Sequence, residues 1–223
     1  MDGQTILELL AGSELFEGFG SDELDALSKA SEVRTLRRNE VVFNANDAAA
    51  DLFVVRAGRI AIAINSPDGR ESVMALMEPG DLFGEMGLFV DDSTRVASAR
   101  ALEPSELVSV PYPPVRQLLE DRPRLLWGVV RLLTRRLAAT DAALADSVFL
   151  DVTGRTAKRL LELAGDNDEF VLPVTQEELA GMVGASRERV NKALAQFMRL
   201  GWLEQSERRY RITDREQLSR RAR

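Results

Sequence analysis

The segment from Thr175 to Leu200, TQEELAGMVGASRERVNKALAQFMRL, constrains the fold more than any other stretch of the chain. Thr175 and Glu178 have capping-box spacing, in which a hydroxyl and a carboxylate satisfy orphan N–H groups at a helix start. Leu179, Met182 and Val183 give that helix one apolar face. Gly184 permits a tight turn, and Ser186 can cap a second helix. On the second helix Val190, Leu194 and Phe197 point inward, which leaves Arg187, Glu188, Arg189, Asn191 and Lys192 outward near its N-terminus. The pattern predicts a helix-turn-helix that offers this end of its second helix to base edges. A helix pair with a solvated charged face is the other reading. Further on, GWLEQSERRYRIT reads as two short strands around SERR. That is a wing, so the C-terminal part is expected to be a winged helix-turn-helix.

The net charge of −7 looks wrong for a DNA binder until its distribution is considered. From Phe149 onward there are 14 Lys and Arg against 12 Asp and Glu, net +2, while the preceding residues are net −9. Only the C-terminal part suits a polyanion. The closing SRRAR reads as a basic tail or simply a solvated terminus. The chain has no Cys and no His. This excludes disulfides, Cys-ligated iron–sulfur clusters, His- or Cys-ligated haem, zinc fingers and His-based triads. No metal, haem or iron–sulfur cofactor is therefore expected. No apolar run reaches the roughly 18 residues that a membrane span needs. MDGQTILELL lacks the basic start of a signal peptide. Both point to a cytoplasmic protein.

Upstream, the hydrophobic period changes twice. Residues 1–30 hold two short helical patterns, with Ile6, Leu9 and Leu10 on the first and Leu24 and Leu27 on the second. From Val33 to Val110 the period is two. VVF, DLFVV, RIAIAI, SVMAL and ELVSV read as strands between turn signals, and SPDG as a hairpin turn. Short strands at even spacing predict an antiparallel roll or jelly roll. Pro113 and Pro114 open a helix through VRQLLED, and Pro123 opens a longer one. Along the longer helix Leu126, Val130, Leu133, Leu137, Thr140, Leu144 and Ser147 recur at alternating spacings of four and three. That is a coiled-coil seam, which favours a homodimer helix over one packed on its own barrel. Thr140 interrupts the seam, either as a polar register device or as a ligand contact. FLDVTGR, with Asp151 or Thr153 as a helix cap, reads as a hinge. The fold class is α+β. Residues 1–122 are expected to form the roll with flanking helices, 123–148 the dimerisation helix and 149–223 the winged helix-turn-helix.

With these motifs in this order, the chain resembles the CRP/FNR family of bacterial transcription regulators, closest to its cyclic-AMP receptor branch. PDGRE in the roll, GDLFGEMGLFVDDSTRVASA as a phosphate-binding cassette, FLDVTGR at the hinge and VGASRERVNKAL in the second helix carry the resemblance. It implies a homodimer that binds cyclic AMP and then double-stranded DNA, with RNA polymerase as a further partner. Glu85 matches the family's ligand for the ribose 2′-hydroxyl, and Arg95 its partner for the cyclic phosphate. A carboxylate accepts from a hydroxyl, and a guanidinium fork suits a phosphodiester. Gly84 lets backbone N–H groups approach the ligand. Val96 stands where the family usually has Ser or Thr, so only its N–H remains. Thr140 matches the family's adenine contact, and Asp141 departs from the Ser or Asn that usually follows. Two family glycines appear as Asn39 and Asn46, which tolerate left-handed turns better than other side chains do.

The resemblance extends to DNA. Arg187 and Glu188 match the family's readers of guanine and cytosine. Lys192 replaces a second Arg and lacks its fork. Arg189 is assigned to phosphate, and Thr175 and Ser186 complete the candidate DNA contacts. The implied site is a palindrome near TGTGA–six base pairs–TCACA, with half-sites one helical turn apart. Val96 and Asp141 keep alternatives open: cyclic GMP, which a buried Asp141 would suit, cyclic di-GMP, or DNA binding without ligand. A roll controlling an attached enzyme is the rival from another class. Against it, the C-terminal part holds no triad, Gly-rich phosphate loop or metal cluster.

Overall fold

A computed structural model describes residues 5–65, 71–90 and 93–223. The SPDG turn, most of PDGRE and Asp91 and Asp92 of the cassette lie outside the described residues. The chain divides into two compact units, Met1–Ile64 with Ala75–Ala138, and Asn65–Met74 with Ala139–Arg223.

The first unit opens with α1 (Ile6–Ala11) and α2 (Ser21–Ala30). The strands follow as β1 (Glu32–Leu36), β2 (Val41–Phe43), β3 (Asp51–Ala57), β4 (Ile60–Asn65), β5 (Glu71–Met77), β6 (Leu82–Phe83), β7 (Ser98–Ala101) and β8 (Ser105–Pro111). They form two four-stranded sheets, ordered β1-β8-β3-β6 and β2-β7-β4-β5. The β1–β8, β3–β8, β3–β6, β2–β7 and β4–β7 pairs are antiparallel. This is the expected roll. β1, β6 and β7 are additions to the strands read from sequence. β6 is two residues long, and β7 is SARA, whose alanines carry little strand propensity.

β3 shows how the alternation works. Leu52 and Val54 face a core built with α1, α2 and the helices after β8. Phe53 and Val55 face the opposite way, into the roll, against Ile60, Phe83, Ala99 and Leu107. All four are buried, which is why this strand reads as a continuous apolar run and not as an alternation. Asn39 and Asn46 adopt φ of 65° and 71°. Both turns thus keep the left-handed geometry that the family's glycines would supply.

α3 (Tyr112–Asp121) carries Pro at its first positions, and α4 (Leu126–Phe149) follows a 3₁₀ turn at Pro123–Leu125. α4 has two apolar stripes. Gly128, Val129 and Leu132 are buried. Gly128 is needed there, since a Cβ would come within 2.7 Å of the Leu15 carbonyl oxygen. The seam lies on another face: Leu126, Val130, Leu133, Leu137 and Leu144 are 39–63% exposed in the single chain. The first stripe packs the helix on its own roll, a contact that the seam had overshadowed in the sequence.

In the second unit α5 (Val152–Ala164) is capped by Asp151, which accepts from the Gly154 N–H at 2.8 Å, and not by Thr153. β9 (Glu169–Val171), α6 (Gln176–Val183), α7 (Arg187–Arg199), β10 (Leu203–Ser206) and β11 (Arg209–Ile212) follow. The wing strands pair as expected, and β9 adds a third to give the order β10-β11-β9. The C-terminus is not a loose tail. It forms α8 (Arg215–Arg221), capped by Asp214, with Leu218 fully buried and Arg221 ion-paired to Asp151. No helix among the described residues is long and apolar enough to cross a membrane.

Candidate functional site

Gly84, Glu85, Arg95 and Val96 line one cavity of about 130 Å³ in the first unit, together with Phe43, Phe83 and Arg136. Gly84 ends β6 in the left-handed region, with φ of 82°. A Cβ there would meet the Arg95 Nη1 at 2.8 Å. Glycine therefore serves both the turn and the close approach of the guanidinium.

Glu85 is 1% exposed. Its Oε1 accepts from the Arg136 Nη1 at 2.7 Å, and the Arg136 Nη2 donates to the Leu82 carbonyl at 2.5 Å. Burial pushes the Glu85 carboxyl above its ordinary value, and the Arg136 charge opposes that rise. The other carboxylate oxygen, Oε2, is buried with no partner among the described residues.

Arg95, 5% exposed, reaches inward. Its Nη1 donates to the carbonyls of Asp51 and Gly84, at 2.8 and 3.1 Å, and to the Tyr112 hydroxyl at 3.3 Å. Its Nη2 donates to the Asp51 Oδ1 at 2.5 Å. The guanidinium lies 4.2 Å from the centre of the Phe43 ring. The Arg95 Nε is likewise buried with no hydrogen-bond partner among the described residues. An unsatisfied buried donor or acceptor costs about 1–3 kcal/mol. One orphan carboxylate oxygen and one orphan guanidinium N–H therefore suit a ligand that brings a hydroxyl and an anionic oxygen. Val96, 62% exposed, adds no hydroxyl.

Thr140 and Asp141 belong to the other compact unit and are exposed on α4. Asp141 is therefore not the buried carboxylate that would suit cyclic GMP in the single chain. Arg136, four residues before Thr140 on the same helix, was missed in the sequence, although its spacing from Thr140 was a signal for it. Asp51 had only a weak signal, a charge at the head of DLFVV.

The second candidate site is α7. Ser186 caps it by accepting from the Arg189 N–H at 3.4 Å, and Val190, Ala193, Leu194 and Phe197 bury its inner face. Thr175 caps α6 in the expected box, and Gly184 makes the turn with φ of 67°. Arg187, Glu188, Arg189 and Lys192 are exposed. Asn191 differs from expectation, being half-buried, and its Oδ1 has no hydrogen-bond partner among the described residues. The Lys192 Nζ lies 2.7 Å from the Glu188 Oε1, which holds the Glu188 carboxyl below its usual range. A larger open cavity of about 770 Å³ lies on the wing sheet, but its Glu169, Glu204, Arg209 and Arg211 are all exposed. Of its described polar lining residues Tyr210 alone is buried, and no buried charged group lies beside it.

Residues 33–122 match the cyclic nucleotide-binding domain, and residues 154–221 match the Crp-like helix-turn-helix domain. The chain is 39% identical over 223 residues to a CRP-like cAMP-activated global transcriptional regulator of Mycobacterium tuberculosis, covering 97% of this chain and 99% of the relative. It is 35% identical over 159 residues to the cAMP-activated global transcriptional regulator CRP of Pasteurella multocida, covering 69% of this chain and 76% of that one. Among solved structures, the c-di-GMP responsive global regulator CLP of Xanthomonas campestris superposes with a TM-score of 0.76 at 28% identity, over 86% of this chain and 99% of that one.

Proposed function

Because the chain belongs to the CRP/FNR family of transcription regulators, we propose that it acts as a homodimer under cyclic AMP control and reads a TGTGA-type palindrome. It is a regulator and not an enzyme, as its two matched domains and its relatives are. The observation that carries the ligand reading is the pair of orphan atoms, Glu85 Oε2 and Arg95 Nε, in one cavity wall. A ribose hydroxyl would donate to the first, and a cyclic phosphate would accept from the second. Gly84, Glu85, Arg95 and Val96 form the ligand site in this reading, with Thr140 and Asp141 contributing from α4. Cyclic AMP is preferred because the relatives named above are called cAMP-activated.

The Arg136–Glu85 pair gives ligand binding a route to α4. A hydroxyl that draws on Glu85 changes what Arg136 holds, and Arg136 sits on the helix that carries the seam. In this proposal the seam packs against a second copy, and the two α7 helices then read half-sites through Arg187, Glu188 and Lys192. Arg189, Thr175 and Ser186 hold phosphates. The regulator works in the cytoplasm with RNA polymerase.

A mobility-shift titration on a TGTGA palindrome tests the reading, with cyclic AMP, cyclic GMP, cyclic di-GMP or no nucleotide. Cyclic AMP is expected to tighten binding most. Equal binding without nucleotide would replace it with the ligand-free reading. Leu133→Glu puts like charges into the seam and is expected to sediment as a monomer; a dimer at micromolar concentration would place the interface elsewhere.

A further inference from the structure

The cavity's charges are balanced before any ligand arrives. Arg95 faces Asp51, and Arg136 faces Glu85. Among the described residues, these two cations and two carboxylates leave no formal excess of positive charge for a phosphate. Asp51 also engages Arg95 more closely than a passing surface ion would. Its carboxylate and its own carbonyl both accept from the guanidinium, and its Oδ2 accepts from the Ser109 hydroxyl at 2.6 Å. Ser109 on β8 and Asp51 on β3 lie on paired strands, so the carboxylate is fixed by the sheet.

We propose that Asp51 sets the ligand affinity of this site, as an internal carboxylate that competes with the ligand's phosphate for Arg95. The inference rests on the reading of the cavity as a cyclic-nucleotide site. Without ligand, Arg95 is buried, and a buried guanidinium needs a counter-charge. Asp51 supplies it and stabilises the empty cavity. When a phosphate reaches Arg95, it meets a guanidinium whose charge is already offset, in a site with a second carboxylate nearby. Val96 brings no hydroxyl to compensate. The same contact that stabilises the empty protein therefore weakens the liganded one.

Calorimetric titration of the full chain with cyclic AMP, combined with thermal unfolding in its absence, tests this. Asp51→Asn keeps the shape and the hydrogen-bonding oxygen but removes the charge. It is expected to bind cyclic AMP about tenfold more tightly, the scale of one nearby like charge removed, and to unfold at a lower temperature when empty. Ser109→Ala removes a hydrogen bond and no charge, and should leave affinity within about twofold. Asp51→Ser repeats the measurement with different packing, should Asp51→Asn fail to fold. Unchanged or weaker binding by both Asp51 variants, with wild-type binding intact, would overturn the proposal and make Asp51 a simple buttress. Tight binding by a variant where wild type binds nothing would support it in stronger form. No binding by any of the proteins would overturn the proposal together with the nucleotide reading.

Discussion

The cavity around Arg95 and the first turns of α7 handle charge in opposite ways. In the cavity, Glu85 and Arg95 are buried and each is paired, Glu85 with Arg136 and Arg95 with Asp51. On α7, Arg187, Glu188, Arg189 and Lys192 stand in solvent, and the one ion pair among them is an i,i+4 contact with both side chains about three-quarters exposed. Buried pairs are held by the fold, and losing one partner leaves the other uncompensated. Exposed charges contribute little to stability and are available to a partner molecule. Substitutions should therefore damage the fold in the first region and only DNA recognition in the second.

The largest effect is expected from Arg136→Ala. It leaves the Glu85 carboxylate buried without its cation. Breaking a buried pair costs about 3–5 kcal/mol; Arg136 is a third exposed, so about 2 kcal/mol is expected at pH 7. The Glu85 carboxyl is already raised by burial, and losing Arg136 raises it further. A carboxyl whose folded value lies above its unfolded one contributes stability at low pH that is lost as pH rises through the folded value. The deficit of the variant should thus be largest at neutral pH and should vanish as Glu85 protonates, above the ordinary carboxylate range. Urea unfolding from pH 4 to 8 measures it. Adding Glu85→Gln should recover much of the loss; a deficit independent of pH would show that packing and not charge is at stake.

Arg187→Ala comes next, and it should leave unfolding unchanged. On the cognate palindrome it is expected to cost roughly 1–3 kcal/mol of binding. Fluorescence anisotropy on cognate and random duplexes separates its roles. Equal losses on both would make Arg187 a phosphate contact and would blur the contrast between the two regions.

The same contrast explains what the sequence could show. On α7 every relevant residue lies within about three helical turns, so capping, apolar period and outward charge were legible together. In the cavity, Glu85 and Arg95 were legible through their cassette, but their partners lie 51 and 44 residues away. Long-range pairing leaves no local pattern of its own, so Arg136 had only its spacing from Thr140 to mark it and Asp51 only its place at the head of a strand, and both were missed. β3 was visible because both of its faces are buried. β7 was hidden because alanine signals a strand poorly. α8 had signals, a capping Asp214 and the Glu216–Arg220 pair, but its single buried anchor, Leu218, set no period.

The smallest expected effect lies at the other end of the chain and gives the sharpest test of burial as the cause. Asp151 caps α5 and holds Arg221, yet its side chain is 64% exposed. The Gly154 N–H bond, with Arg221 adding to it, holds its carboxyl below the ordinary value in spite of some desolvation. A depressed carboxyl contributes stability above its unfolded value, about 3.9, that is lost as pH falls through the folded one. Arg221→Ala should therefore cost under about 1 kcal/mol at pH 7, as exposed pairs do, and its deficit should persist until pH drops below the ordinary carboxylate range. Asp151→Ala should cost about 1 kcal/mol, since it also removes the cap. The Arg136 and Arg221 variants both delete one arginine from one carboxylate, but their deficits should disappear on opposite sides of the ordinary carboxylate value. If both fade over the same pH interval, burial is not what distinguishes the two pairs.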